Sequence, residues 1–142
     1  MGRLFVLLLS MVSAFFLTLF MCACNRTPDD AAAAGLYVTL SPAVEGIQGD
    51  HLIVEIVDDQ GMPITDVTVS LEGNMTHAGM VPVLTESVWD GADGSEDGVY
   101  RIPFEFSMLG DWIISVKIEN RDGDRFTQDI DVLANSSAVT VK

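Results

Sequence analysis

Cysteine and basic residues are scarce in this chain. Its 142 residues include two cysteines, and 7 Lys and Arg stand against 21 Asp and Glu, which gives a formal net charge of -14. Such a chain offers no basic face for phosphates, so nucleic acid is excluded as an expected partner and docking on anionic lipid headgroups is disfavoured. Both cysteines, Cys22 and Cys24, precede the domain, which excludes a structural disulfide or a cysteine-based zinc or redox site within it.

Recognisable catalytic groups are missing as well. The chain has two histidines, no Gly-x-Ser-x-Gly motif and no glycine loop of the kind that cradles phosphates. These gaps leave no nucleophile–base pair from which a reaction could be argued. We therefore expect a module that binds or presents, and not an enzyme.

One long apolar run stands at the N-terminus. Residues 4–23 hold 17 apolar residues out of 20, and Arg3 precedes them. A basic residue before such a run is typical of an export signal, and the positive-inside rule puts everything after it on the outer side of the cytoplasmic membrane. We therefore expect a domain in the cell envelope, on the extracytoplasmic side and anchored to the membrane.

The end of this leader allows two kinds of anchor. Ala23-Cys24 resembles a bacterial lipobox, which would make Cys24 the lipidated first residue of a lipoprotein. The run is also long enough to cross about 30 Å of hydrocarbon as a leader helix, so an uncleaved anchor remains the alternative. The expected boundaries are 1–23 for the signal peptide or anchor, 24–35 for a flexible tether and 36–142 for the folded domain.

The rest of the chain alternates apolar and polar residues with a period of two, which is typical of half-buried strands. Turn signals such as Asp58-Asp59-Gln60-Gly61 and Asp122-Gly123 separate these segments. About seven short strands in about 100 residues predict an all-β, immunoglobulin-like β-sandwich. The clearest alternating segments are 52–57, 66–71, 100–107, 111–119 and 126–132, with weaker strands near 36–41 and 81–88. Pro103 predicts an edge or a bulge, because proline cannot donate to a strand ladder.

Soft metal ligands gather in one short segment. Met75, His77 and Met80 lie between two predicted strands, and thioether and imidazole groups suit Cu(I). Met108 and His51 would complete the set if their loops converge on this segment. The alternative is that the methionines fill the core, and Met108 is in phase with the inward face of its predicted strand.

A second segment is rich in carboxylates and glycine. Carboxylates in such a loop could hold Ca²⁺, although their spacing does not fit an EF-hand. The residues concerned are Asp90, Asp93, Glu96 and Asp97. A solvated loop between strands is the alternative, and it is the better explanation of the pattern.

Two stretches together resemble the YtkA-like domain family, which is related to the FixH-like proteins. One is the segment 74–80, Asn-Met-Thr-His-Ala-Gly-Met, and the other runs from Gly98 to Trp112 about 20 residues later. The family places a Met- and His-containing loop before a Gly-x-Tyr strand that leads through Met and Gly to a Trp. The matching positions in the second stretch are Gly98, Tyr100, Met108, Gly110 and Trp112.

The resemblance covers about residues 36–133, and it implies an immunoglobulin-like domain on the outer side of the membrane. It also implies copper handling or accessory work in the assembly of haem-copper oxidases, with Met75, His77, Met80 and Met108 as the tentative metal ligands. The alternative function is a structural or interaction module that docks on an envelope protein without any metal.

Overall fold

The structure is a computed structural model that describes residues 29–43, 50–77, 79–92 and 94–142. The expected leader helix, the cleavage region and Cys24 lie outside the described residues. The described part contains ten strands and one 3₁₀ turn over Ala32–Ala34. The strands are β1 (Asp29–Asp30), β2 (Tyr37–Pro42), β3 (His51–Val57), β4 (Val67–Met75), β5 (Val83–Leu84), β6 (Val88–Trp89), β7 (Val99–Pro103), β8 (Gly110–Asn120), β9 (Arg125–Ala134) and β10 (Val139–Val141).

These strands form two sheets, as the alternating pattern predicted. The larger sheet has the order β1-β9-β8-β4-β5, with β10 also on β9 and β6 also on β4, and the smaller sheet has the order β2-β3-β7. All pairings are antiparallel except that of β1 with β9. The all-β sandwich is therefore confirmed, and β7 with Pro103 at its end is an edge strand, as expected.

The core lies between the two sheets and comes from the residues that the alternation placed on one face. The smaller sheet contributes Leu40, Leu52, Val54, Ile56, Tyr100 and Ile102, and the larger sheet contributes Val67, Val69, Leu71, Trp112, Ile114, Val116, Ile118, Val132 and Ala134. Within the part of the chain that the structure describes, every buried core residue lies between Ala31 and Ala134. Residues 25–142 therefore contain this core and are the fragment used in the experiments below.

The domain begins before the expected boundary at residue 36. Asp29–Asp30 pair with Phe126 and Thr127 of β9, and Ala31 is fully buried in the core. The Asp30 carboxylate accepts a hydrogen bond from the Ala32 amide at 2.8 Å, which starts the 3₁₀ turn. Of the alanines that suggested a tether, Ala31 is small enough for this close packing, while residues 32–34 are exposed.

This N-terminal attachment lies at one particular end of the larger sheet. Phe126 pairs with Ile118 at the end where β9 begins, whereas Trp112 pairs with Val132 near the other end. Whatever precedes Asp29 therefore joins the sandwich at the end opposite Trp112. In the part of the chain that the structure describes, no helix has the length and apolar character needed to span a membrane.

Candidate functional site

The end of the sandwich that carries Trp112 also collects the soft ligands. Met75 is the last residue of β4 and pairs with Trp112 of β8. Beyond that pair, the Thr76 amide donates to the Asp111 carbonyl at 3.1 Å, so the ladder continues past the end of β4. Since Met108 lies two residues before β8 begins at Gly110, the loops that carry Met75 and Met108 meet at the same end of the sheet.

Met75 faces the interior at this rim. It is half-buried against the core, on the same side of the sheet as its partner Trp112. A Cβ atom on Gly110 would lie 2.8 Å from the Met75 methyl carbon, and Gly110 has a φ of 136°. A glycine is therefore required at position 110 both for its backbone conformation and for the room it leaves to the thioether.

Trp112 holds the loop that carries Met108. Its indole Nε1–H donates to the Met108 carbonyl oxygen at 3.1 Å. The ring also makes edge-to-face contacts with Phe106 at 5.6 Å and Phe104 at 6.3 Å between ring centroids. Met108 itself is 51% exposed, so the expectation that it fills the core is wrong. The strand ends at Pro103, and the alternation that placed Met108 inward does not continue through the loop.

His77 and Met80 lie in the connection between β4 and β5. Val83 of β5 pairs with Gly73 of β4, so the intervening residues turn back at the same end as Met75. His77 is exposed, and Met80 is 39% exposed. Gly79 supplies the left-handed conformation of the turn, with a φ of 86°.

His51 approaches the same end from the smaller sheet. It begins β3 opposite Pro103, and the next residue, Phe104, packs against Trp112 across the sandwich. The His51 Nδ1 lies 2.6 Å from a carboxylate oxygen of Asp50, and this hydrogen bond lowers the pKa of Asp50. The contact leaves Nε2 as the ring nitrogen that faces away from the pair.

The structure therefore brings to one end of the sandwich every residue that the sequence singled out as a soft ligand. Both histidines lie there, together with three of the four methionines that follow the leader. The fourth, Met62, lies at the opposite end, where its carbonyl accepts from the Asp58 amide just beyond β3. Within the described ranges, no three His, Cys, Asp or Glu side chains cluster closely enough to hold a metal ion. A metal at this end would therefore depend on the thioethers.

The carboxylate loop does not form a comparable site in its described part. The Asp90 carboxylate accepts from the Gly98 amide at 3.2 Å and so serves the turn itself. Glu96 forms an isolated bridge with Val99, and Asp97 has a φ of 52°. Asp93 lies outside the described residues. Among the others, the arrangement is that of a hydrogen-bonded turn between β6 and β7.

Comparison with known proteins adds the decisive observation. The family model described as YtkA-like matches residues 30–117, which is more than half of the chain. This protein belongs to the YtkA-like family. Searches of the curated proteins and of the solved structures gave no match.

The YtkA-like match begins where the structure begins the domain. It starts at Asp30, within β1, and so agrees with the packing of Asp29–Ala31 rather than with a boundary at residue 36. It ends at Lys117 inside β8, although β9 and β10 complete the same sheet. All the soft ligands described above fall inside the matched range, and so does Trp112.

Two contributors to this site were not identified from the sequence. The room that Gly110 leaves for Met75 depends on the register between β4 and β8, whereas the hydrogen bond from Trp112 to Met108 joins residues four positions apart in the loop before β8. The sequence did contain a signal for these contacts: Gly110 and Trp112 lie at the start of a predicted strand, shortly after Met108. The role of Gly110 nevertheless depends on Met75, more than 30 residues earlier in the chain.

Proposed function

We propose that this YtkA-like domain is an accessory module that binds Cu(I) at the end of the sandwich defined by Met75, His77, Met80 and Met108. One observation carries the proposal: among the described residues, the fold gathers three of the four methionines and both histidines at one end, with Met62 at the other. Thioether sulfur with imidazole nitrogen is a donor set that favours Cu(I) over harder ions.

The exposure of the ligands supports exchange of a metal rather than permanent burial. Met80 and Met108 are 39% and 51% exposed, whereas Met75 is half-buried at the edge of the core. A site of this kind would present Cu(I) to a partner at the rim. The role would be copper handling in the cell envelope or accessory work in the assembly of haem-copper oxidases.

The apolar leader supports a location on the extracytoplasmic side of the membrane. Arg3 and the run over residues 4–23 form an export signal, and lipidated Cys24 would hold the domain as a lipoprotein. An uncleaved leader would hold it in the same compartment.

The second candidate function is a metal-free interaction module. It is favoured by large apolar side chains exposed near the same rim, with Val81 at 84% and Leu109 at 53%. Exposed apolar groups that gather in one place are typical of sites for protein partners. The two functions differ in whether binding depends on the sulfur atoms.

A Cu(I) titration of residues 25–142 against a competing chelator, under reducing conditions, tests the proposal. We expect the wild type to withdraw Cu(I) from the chelator. We expect the triple variant Met75→Ala/His77→Ala/Met80→Ala to bind at least about tenfold more weakly, equal to about 1.4 kcal/mol.

Met62→Ala is the matched control, because this methionine is 59% exposed and lies at the other end of the domain. It should leave the affinity unchanged. Equal weakening by the control and the triple variant would contradict the proposal, and so would a wild type that takes no Cu(I) from the chelator. In either case the metal-free module would become the better explanation.

A further inference from the structure

The outer face of the larger sheet carries a groove. It is separate from the end of the sandwich that holds Met75, His77, Met80 and Met108, called the soft-ligand end below. Val69 and Ile118 point into the core, so their neighbours Thr68 and Glu119 point outward, opposite each other on β4 and β8. Two adjoining depressions of about 270 and 260 Å³ share these two residues in their linings. Together they form one groove, and its size suits a small-molecule ligand.

The bases of this groove are all paired with acids, and a fourth acid, Glu72, lies beside the lining as the partner of Lys117. Its lining carries three acids and three bases, namely Asp66, Asp90, Glu119, Lys117, Arg121 and Arg125. The bases are each paired: Arg121 with Asp66 at 2.6 Å, Arg125 with Glu119 at 2.9 Å and Lys117 with Glu72 at 2.5 Å. A charged ligand would displace a member of one of these pairs, whereas a neutral ligand leaves all three pairs in place.

The Lys117 pair belongs to a small hydrogen-bond network around Glu72. Hydrogen bonds from Asn74 and from Lys117 keep the pKa of Glu72 below its usual value. Glu72 therefore stays ionised near neutral pH and remains paired with the ammonium group of Lys117. The remaining lining is rich in hydroxyl groups, from Thr68, Ser70, Ser87 and Thr127, each of which both donates and accepts.

An exposed tryptophan flanks the groove at the edge of the sheet. Trp89 pairs with Thr68 and points outward, while the preceding Val88 packs toward the core. The indole is 59% exposed. A Cβ atom on Gly91 would lie 3.1 Å from the Cζ3 atom of Trp89, so the indole rests against backbone that carries no side chain. The ring is thus supported from behind and presents a broad apolar surface beside polar groups.

We propose that this groove binds a neutral saccharide, with one sugar ring packed on Trp89 and its hydroxyls bonded to the polar lining. A sugar combines the two properties that the groove demands: an uncharged set of donors and acceptors, and an apolar C–H face that packs on an aromatic ring. Each ion pair is neutral as a pair and supplies fixed hydrogen-bond donors and acceptors. This site is independent of the Cu(I) proposal, since it shares no residue with the soft-ligand end.

Calorimetric titration of residues 25–142 with cellotetraose and with the tetramer of N-acetylglucosamine tests the proposal. We expect saturable binding of at least one of the two, and a loss of at least about tenfold in affinity in Trp89→Ala. Trp89→Phe, which keeps an aromatic surface, should restore part of the affinity. In both variants Trp112 is the remaining tryptophan, and the blue-shifted fluorescence of its buried indole will show that they are folded.

Tyr37→Ala is the matched control, because Tyr37 is also 59% exposed but lies on β2 of the other sheet. It should bind the saccharide like the wild type. The proposal is overturned if neither tetrasaccharide binds, or if Trp89→Ala and Tyr37→Ala bind equally well. Sedimentation that reveals a dimer dissociated by Trp89→Ala would also overturn it, since the groove would then be an interface between two copies.

Discussion

Gly73 decides how closely the two sheets approach at the soft-ligand end. It lies within β4, and a Cβ atom there would stand 2.4 Å from Cζ and 2.8 Å from Cε2 of Phe104. The aromatic ring therefore occupies the space that any side chain at position 73 would need. Because Phe104 also packs on Trp112, this glycine indirectly supports the loop that carries Met108.

We expect Gly73→Ala to lower the free energy of unfolding by about 1–3 kcal/mol, because the added methyl overpacks the interior. Urea denaturation of residues 25–142 will measure the loss. Ser70→Ala, on the outer face of the same strand, is the control and should change stability by no more than about 0.5 kcal/mol. A Gly73→Ala variant as stable as the wild type would show that Phe104 moves aside freely.

At the scale of elements, the edge of the larger sheet is interrupted by a side chain. Between β5 and β6, the Leu71 amide donates to the Thr85 hydroxyl oxygen at 2.8 Å, and the Thr85 amide donates to the Leu71 carbonyl at 3.0 Å. The hydroxyl takes the place of a backbone carbonyl in the ladder. This substitution divides one expected strand into two pieces of two residues each.

Thr85→Val should therefore cost about 1–3 kcal/mol, because it leaves the amide of the buried Leu71 without an acceptor. Hydrogen exchange at the Leu71 amide should become faster in this variant, while chemical denaturation gives the loss of stability. Thr85→Ser keeps the hydroxyl and should stay close to the wild type. Equal exchange rates in the two variants would contradict this role for the hydroxyl.

Local alternation predicted the long strands well and the irregular ones poorly. The inward residues of β3, β4 and β8 follow from a period of two, because one face of each strand is buried. The end of β7 at Pro103 and the break at Thr85 depend on hydrogen bonds to distant residues, which the alternating pattern does not contain. The same limit explains why Asp29–Ala31 was expected to belong to the tether.

The sequence predicted which residues belong to the candidate site, but not how they are arranged. Residue chemistry alone singled out Met75, His77 and Met80, and the structure places them at one end of the fold. That Met108 and His51 reach the same end follows from the register of β8 and from packing between the sheets. Trp89 gave little signal in the sequence, because its exposure depends on the edge position of β6.

At the scale of the whole molecule, electrostatic repulsion outweighs the visible ion pairs. Residues 29–142 carry all 21 carboxylates but only five of the seven Lys and Arg. Among the residues that the structure describes, four of these five bases form ion pairs with acids, and all four are substantially exposed. Exposed pairs contribute at most about 1 kcal/mol each, so they leave most of the acidic excess uncompensated.

We therefore expect the Tm of residues 25–142 at pH 7 to rise by a few degrees between 10 and 150 mM NaCl. Over that range the Debye length falls from about 30 to about 8 Å, which screens repulsion between separated carboxylates. Differential scanning calorimetry will measure the shift. Near pH 4, where many carboxyl groups are protonated, the shift should shrink. A Tm that falls with salt at pH 7 would show that the ion pairs dominate instead.

β1 attaches beside the start of β9. The proposed N-terminal anchor would therefore hold that end of the domain closer to the membrane than the other end. Val132, which pairs with Trp112, lies six positions along β9 from Phe126, which pairs with β1. At about 3.4 Å per residue, the soft-ligand end stands about 20 Å beyond the point of attachment. With the leader in the bilayer, the soft-ligand end would be the end that projects into the aqueous compartment. Its exchange partners would then be soluble carriers, or protein domains that extend well above the lipid surface.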